Sequence, residues 1–411
     1  MNRNKTLWTM FFYSPALCFF KVLFSLASGN YHAVKIIPYV MGLFAYLFPP
    51  YSDFARNLDL VYSYQNYPLP MLLAVTSDVV VPTIEYYFLR LNIPIEFFRF
   101  IYTFFIYQLF TNIFFDIRQR FNLTRQSSFR VWVFLFMMIS FFAYIINLRT
   151  LFVNYTLIYC VYKYYIDNKD KYRYLSLLLC FVHFAYFPII LAFFFSKYIR
   201  LTISKNIKCI FIFFLLFSSI LMDSDFLLSI IRILPLGDVI NNKVEIYTEG
   251  EWSTVGEAMK AMRTTNFIIY QSLLSLASYY IYYLYIKINP NNRINYYINV
   301  LFLVVLLTAP IGALFNRYIT FFDTALQLNI LYSYAQNNIT KKQMDTFIWL
   351  CVLNTALNVY ANWNCLVNGN VWYLLVPLPF ALFQTYNFEE WCRLHLANDF
   401  NKIINLSIFS R

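Results

Sequence analysis

Apolar and polar positions alternate along this chain on the scale of whole helices. Continuous apolar runs cover about 7–27, 33–49, 95–115, 131–148, 150–166, 174–196, 207–222, 266–286, 295–315, 318–335, 345–363 and 371–386. Most approach the length needed to cross a bilayer, and none alternates with the period of two that a lipid-facing barrel strand requires. The pattern predicts an all-α polytopic membrane fold with about 11–13 transmembrane or re-entrant helices. No internal repeat and no low-complexity linker interrupts it, so residues 1–411 read as a single integral membrane domain. The first run is followed by no small-residue cleavage site and reads as a retained helix.

Composition sharpens this picture. The chain is 60% hydrophobic and 22% aromatic but only 13% charged, well below the quarter or so of charged residues in soluble domains. The net charge of +12 is explained by the positive-inside rule, because the basic residues cluster in short loops between apolar runs. There is no zinc knuckle, RGG tract or basic helix, so nucleic acid is not an expected partner. The seven cysteines, from Cys18 to Cys392, show no CxxC spacing. They predict neither a disulfide framework nor a metal site.

Orientation follows from Lys and Arg in the short loops. Residues 118–130 carry four arginines and no acid; 163–173 and 197–208 are also basic; Lys287 with Arg293 and Lys341 with Lys342 mark two more. These are expected in the cytoplasm. Residues 50–94 and 223–264 are long, acidic or mixed in charge, and are expected as two larger extracytoplasmic helical loops, where function usually concentrates. At the N-terminus Arg3 and Lys5 favour the inside, whereas the parity of later helices favours the outside. The run 174–196 has basic flanks on both sides, so a single crossing would misplace one of them. A break near His183, ahead of Pro188, would make it re-entrant. Such backbone is tolerated only against protein or a wet cavity.

Polar residues inside such runs need a reason. The stretch "TAPIGALFNRYITFFDTALQL" (308–328) carries Asn316, Arg317, Thr320, Asp323, Thr324 and Gln327, spaced as one stripe of a helix. Arg317 fits either an arginine snorkelling to the interface or a guanidinium clamp for phosphate oxygens. Arg149 lies in a turn on the outer side, against the positive-inside rule, and Arg232 stands alone in an apolar outer segment. His183 reads either as a satisfied core histidine or as a phosphate donor or proton relay. Asp53, Arg56 and Asp59 suit a solvated loop, while Asp53, Glu85 or Asp323 suits an acid/base carboxylate. No P-loop, G-x-G-x-x-G or H-E-x-x-H occurs, and only seven glycines are present. That scarcity argues against the Gly-interrupted helices of an alternating-access transporter.

The order of these features resembles the EpsG/Wzy family of bacterial polysaccharide polymerases over most of the chain, through short motifs. "PPYSDFARNLDLVYSY" is similar to the family's early outer loop. "PTIEYYFLRLNIPIEFFRFIY" resembles its E-P-G-Y helix, with Glu85 as the acid and Tyr86-Tyr87 replacing Pro-Gly. "NLRTLFVNYTLIYCVYKYYIDNKDKYRYLSLLLCFVHFAYFPIIL" resembles its R…K-K-Y…H-x-S-A-L run, placing Arg149 and His183, with Ala185-Tyr186 where Ser-Ala is usual. "LFNRYITFF" resembles its R-x-x-Y-F and carries Arg317. "VWYLLVPLPFALF" resembles its closing P-Y element, with Leu378 in place of the tyrosine.

The resemblance implies a GT-C-like fold in the bacterial inner membrane. It implies transfer of a growing glycan from undecaprenyl pyrophosphate to the next lipid-linked repeat unit at the periplasmic face. The product would be O-antigen, capsule or exopolysaccharide. No cofactor, metal or nucleotide is implied, because the donor is already activated; a chain-length regulator protein is a possible partner. Arg317, Arg149 and His183 are the expected catalytic residues, with Arg232, Asp53, Glu85, Asn316 and Asp323 contacting substrate. Three other readings stay open: a lipid-linked oligosaccharide flippase or other transporter, another polyprenyl-phosphate-dependent glycosyltransferase, and a structural or immunity membrane protein.

Overall fold

A computed structural model describes residues 2–48, 52–76, 78–210, 265–288, 290, 292–308, 312–361, 363, 366 and 370–385. Among the described residues the secondary structure is helical, with no strand. In chain order the α-helices are α1 (Asn2–Tyr13), α2 (Pro15–Ala27), α3 (Ile37–Leu47), α4 (Ser52–Ser63), α5 (Leu69–Val75), α6 (Val80–Arg90), α7 (Ile95–Arg120) and α8 (Arg125–Met138). There follow α9 (Phe141–Ile146), α10 (Leu148–Tyr165), α11 (Lys171–Leu175), α12 (Phe187–Phe195), α13 (Thr265–Ile288), α14 (Arg293–Thr308), α15 (Gly312–Ala335), α16 (Lys341–Ala361) and α17 (Leu378–Leu382). Among the described residues two stretches, Ile95–Arg120 and Arg125–Ile145, the latter running through α8 into α9, are long and apolar enough to cross a membrane.

Several expected runs are broken where the sequence supplies a stop. The run 7–27 divides at Ser14–Pro15. Ser14 caps α2, its side chain accepting from the Leu17 N–H at 3.4 Å, and Pro15 takes the first turn, where its missing N–H costs nothing. The run 174–196 is interrupted near His183, where a break is expected. A 3₁₀ helix, Ser176–Phe181, stops before Val182–His183; another, Phe184–Tyr186, leads into α12. Pro188 sits in the first turn of α12; an unbroken helix would demand its absent N–H and clash with the preceding turn. Asn92, Asn122, Asn168 and Asn337 follow α6, α7, α10 and α15 with φ of 54°, 45°, 55° and 63°. In a chain poor in glycine, asparagine takes these left-handed helix ends because its short polar side chain tolerates them.

The chain forms two compact units, residues 1–184 with 334–411, and residues 185–333. In the first, α3 lies closely along α7. Gly42 makes this possible, since a Cβ there would meet the Phe100 ring at 3.1 Å and its carbonyl oxygen at 3.2 Å. Arg99 of α7 is fully buried, donating to the Tyr46 carbonyl at 3.3 Å with its guanidinium 5.5 Å from the Phe54 ring centre. Tyr102 of α7 packs on Phe152 of α10, and Arg130 of α8 makes a two-point ion pair with Asp345 of α16 at 2.6 and 3.0 Å. At the C-terminal end of α10, Lys163 binds Asp116 of α7 and, at 2.7 Å, Asp167; Arg120 also pairs with Asp167.

The second unit is organised around a chain of amides and a phenol. Asn292 donates to Asn329 at 2.6 Å, Asn329 to the Tyr285 hydroxyl at 2.7 Å, and Tyr285 to Asn295 at 2.8 Å. The chain ties α13, α14 and α15 together through groups that would be costly to bury alone.

Candidate functional site

In the first unit, three segments distant in sequence meet at one carboxylate. Asp78 stands in the short loop between α5 and α6. The loop is bolted to the break in the 174–196 run: the Val79 N–H donates to the Phe181 carbonyl at 2.9 Å, and Thr76 Oγ1 donates to the Asp78 carbonyl at 3.0 Å. Asp78 Oδ2 accepts from Arg149 Nη1 at 2.6 Å and lies 3.0 Å from His183 Nδ1. Its other oxygen accepts from the Phe184 N–H at 3.1 Å. The Asp78 side chain is 2% exposed, His183 7% and Arg149 17%, so Arg149 is the most accessible of the three.

The local reasons are electrostatic. Arg149 is the second residue of α10, where the positive end of the helix dipole opposes a cation by roughly 0.3–1 kcal/mol. A carboxylate placed against it reverses that penalty. His183 stands where the helix has stopped, its own N–H donating back to Leu179 O at 3.1 Å. Burial by itself would raise the Asp78 carboxyl. The His183 hydrogen bond and charge, the Arg149 guanidinium and the Phe184 N–H together outweigh it and lower Asp78 to about 2. An ionised carboxylate only accepts, so His183 directs an Nδ1–H at it, and Nε2 is the ring nitrogen on the opposite edge. The set therefore offers an oriented imidazole for proton transfer and a fixed guanidinium for an anion.

The other expected residues fall as follows. Glu85 is fully buried on α6 and faces Tyr102 of α7. Arg317 and Asp323 lie on α15 in the second unit, where Tyr318 donates to the Ala185 carbonyl at 2.8 Å and Asp323 faces Ser278, Tyr279 and Tyr282 of α13. Of the polar stripe, Thr324 bonds back to the Thr320 carbonyl at 2.7 Å. Asp53 and Asn316 have helical backbones in α4 and α15. Arg232 and the acidic loop 223–264 lie outside the described residues.

Asp78 escaped the sequence reading, which weighed Asp53, Asp59 and Glu85 in the same loop. The signal was present: in "AVTSDVVVP" a lone acid stands at the head of an apolar run, close to the criterion that drew attention to the arginines. Comparison of the chain with family models, with curated proteins and with solved structures returns no match.

Proposed function

We propose that the protein is a lipid-linked repeat-unit polymerase of the Wzy type, multi-pass in the bacterial inner membrane and built on a GT-C-like helical scaffold. The observation that carries the reading is the meeting of Arg149 and His183 on the Asp78 carboxylate. In the proposed reaction the acceptor sugar hydroxyl attacks the anomeric carbon of the growing chain. The bond from that carbon to undecaprenyl pyrophosphate breaks and the lipid pyrophosphate departs with the electron pair. The hydroxyl proton passes to His183 Nε2. Arg149 holds the departing phosphate charge, an electrostatic contribution that grows as the bond breaks. Such a histidine base suits the task better than fully buried Glu85, because its ordinary pKa lies near neutrality. Arg317 is assigned a leaving-group role on the sequence resemblance.

The test is chain length in cells. Arg149→Ala and Arg317→Ala are each expected to remain in the membrane and to cut the surface glycan to a single repeat. Normal long polymer from both would refute the arginine assignment. Deletion should leave lipid-linked single repeats on the outer leaflet; trapping them on the cytoplasmic leaflet would instead identify a flippase.

A further inference from the structure

We propose that Asp78 is the positioning residue of this centre: one carboxylate sets both the tautomer of His183 and the seat of Arg149. The inference rests on the polymerase reading for its catalytic consequence, but not for its geometry. Three donors from two segments distant in sequence converge on two oxygens: Arg149 Nη1 at 2.6 Å, His183 Nδ1 at 3.0 Å and the Phe184 N–H at 3.1 Å. The backbone bond from Val79 to Phe181 fixes the carboxylate against the segment that carries His183. With Nδ1 committed to the carboxylate, Nε2 is the nitrogen that takes the acceptor proton. The second contact, from Arg149 to the same oxygen, sets the distance between the proton acceptor and the cation that holds the leaving group.

A carboxylate beside an imidazole favours its protonated form, and a neighbouring guanidinium opposes it. Among the described residues, Asp78, from the loop before α6, contacts His183 directly, and Arg149, from α10, shares the same carboxylate oxygen. Asp78→Asn removes the first and leaves the second without this neutralising contact, so both effects push His183 the same way. The amide can also turn its NH₂ toward the ring and favour the wrong tautomer.

Two measurements test this on the full-length chain in lipid vesicles. The first uses ¹⁵N-histidine NMR. The chain has three histidines, His32, His183 and His395, so the His183 signals are assigned by their loss in His183→Asn. Neutral His183 is expected as the Nδ1–H tautomer in the wild type, with that signature lost or mixed in Asp78→Asn. An Nε2–H tautomer in the wild type would overturn the proposal, whatever the protein's activity and whether or not the variant folds.

The second measurement is polymerisation of a lipid-linked repeat unit against pH. Asp78→Asn is expected to lower kcat about 100-fold or more and to move the acidic limb of the profile downward. Asp78→Glu, which keeps the charge, should recover part of the rate and leave the limb near the wild-type position. An unmoved limb in Asp78→Asn, or a rate within about threefold of wild type, would refute the positioning role. Absence of polymer from the wild type itself, with the NMR signature present, would refute the polymerase reading alone.

Discussion

Asp78→Asn should destabilise the first unit by an amount that depends on pH in a defined way. The carboxyl is lowered from an ordinary 3.8 to about 2 in the folded chain. Each pKa unit corresponds to about 1.4 kcal/mol, so ionisation of Asp78 contributes roughly 2.5 kcal/mol at neutral pH. Because the folded value is depressed, this stability is fully present above about pH 4, the unfolded value, and is lost as pH falls through about 2. Asparagine mimics the protonated acid in size and in lacking the charge. The variant should therefore be less stable than wild type by roughly 2.5 kcal/mol at pH 7, and the gap should close between about pH 4 and 2. The 2% exposure of Asp78 means little solvent screening, so added salt should change the gap only slightly. The assay is denaturant unfolding in mild-detergent micelles, followed by tryptophan fluorescence at a series of pH values. A gap that stays constant from pH 7 to about pH 2 would show that the loss comes from shape rather than charge, and would refute the electrostatic account.

Other outcomes follow from the same geometry. Gly42→Ala pushes a methyl against Phe100, including its backbone oxygen at 3.2 Å. The overpacking cost of about 1–3 kcal/mol is partly offset by about 1 kcal/mol of helix propensity, and Gly42→Leu should cost far more in the same unfolding assay. Lys163→Met removes the cation between Asp116 and Asp167. It should destabilise by about 1.5–3 kcal/mol and raise the Asp167 pKa, which burial pushes up and Lys163 and Arg120 hold down; carboxyl ¹³C NMR reads that shift. Arg130→Ala breaks an ion pair whose Asp345 side chain is 44% exposed, so its cost should stay below about 1 kcal/mol and shrink with salt. A double-mutant cycle between Asp78→Asn and Arg149→Met should show coupling of about 0.5–3 kcal/mol, and additive losses would argue against a direct pair.

Much of the fold is written locally. Helix ends are marked by Pro15, Pro188 and the four left-handed asparagines, because caps and breakers act within a few residues. The interruption near His183 was legible from Pro188 and from two basic flanks. The helical character of 50–94 was legible as well, and α4, α5 and α6 now fill most of it. Two candidate residues, Arg149 and His183, were also visible, since a charge or an imidazole in apolar surroundings is costly unless something answers it.

What answers them was not legible. Asp78 reaches Arg149 across 71 residues and His183 across 105, and neither hydrophobic period nor capping carries information over such separations. Seen alone, Asp78 was one acid among several in a loop, while Glu85, with a better motif match, went fully into the core against Tyr102. The close seating of α3 on α7 at Gly42 is likewise invisible in a count of glycines. The sequence by itself marked apolar helical segments, several of their stops and which polar groups need a partner. Only tertiary packing decided which partner each receives, because a buried charge is stabilised by whichever opposite group the fold brings within hydrogen-bonding distance.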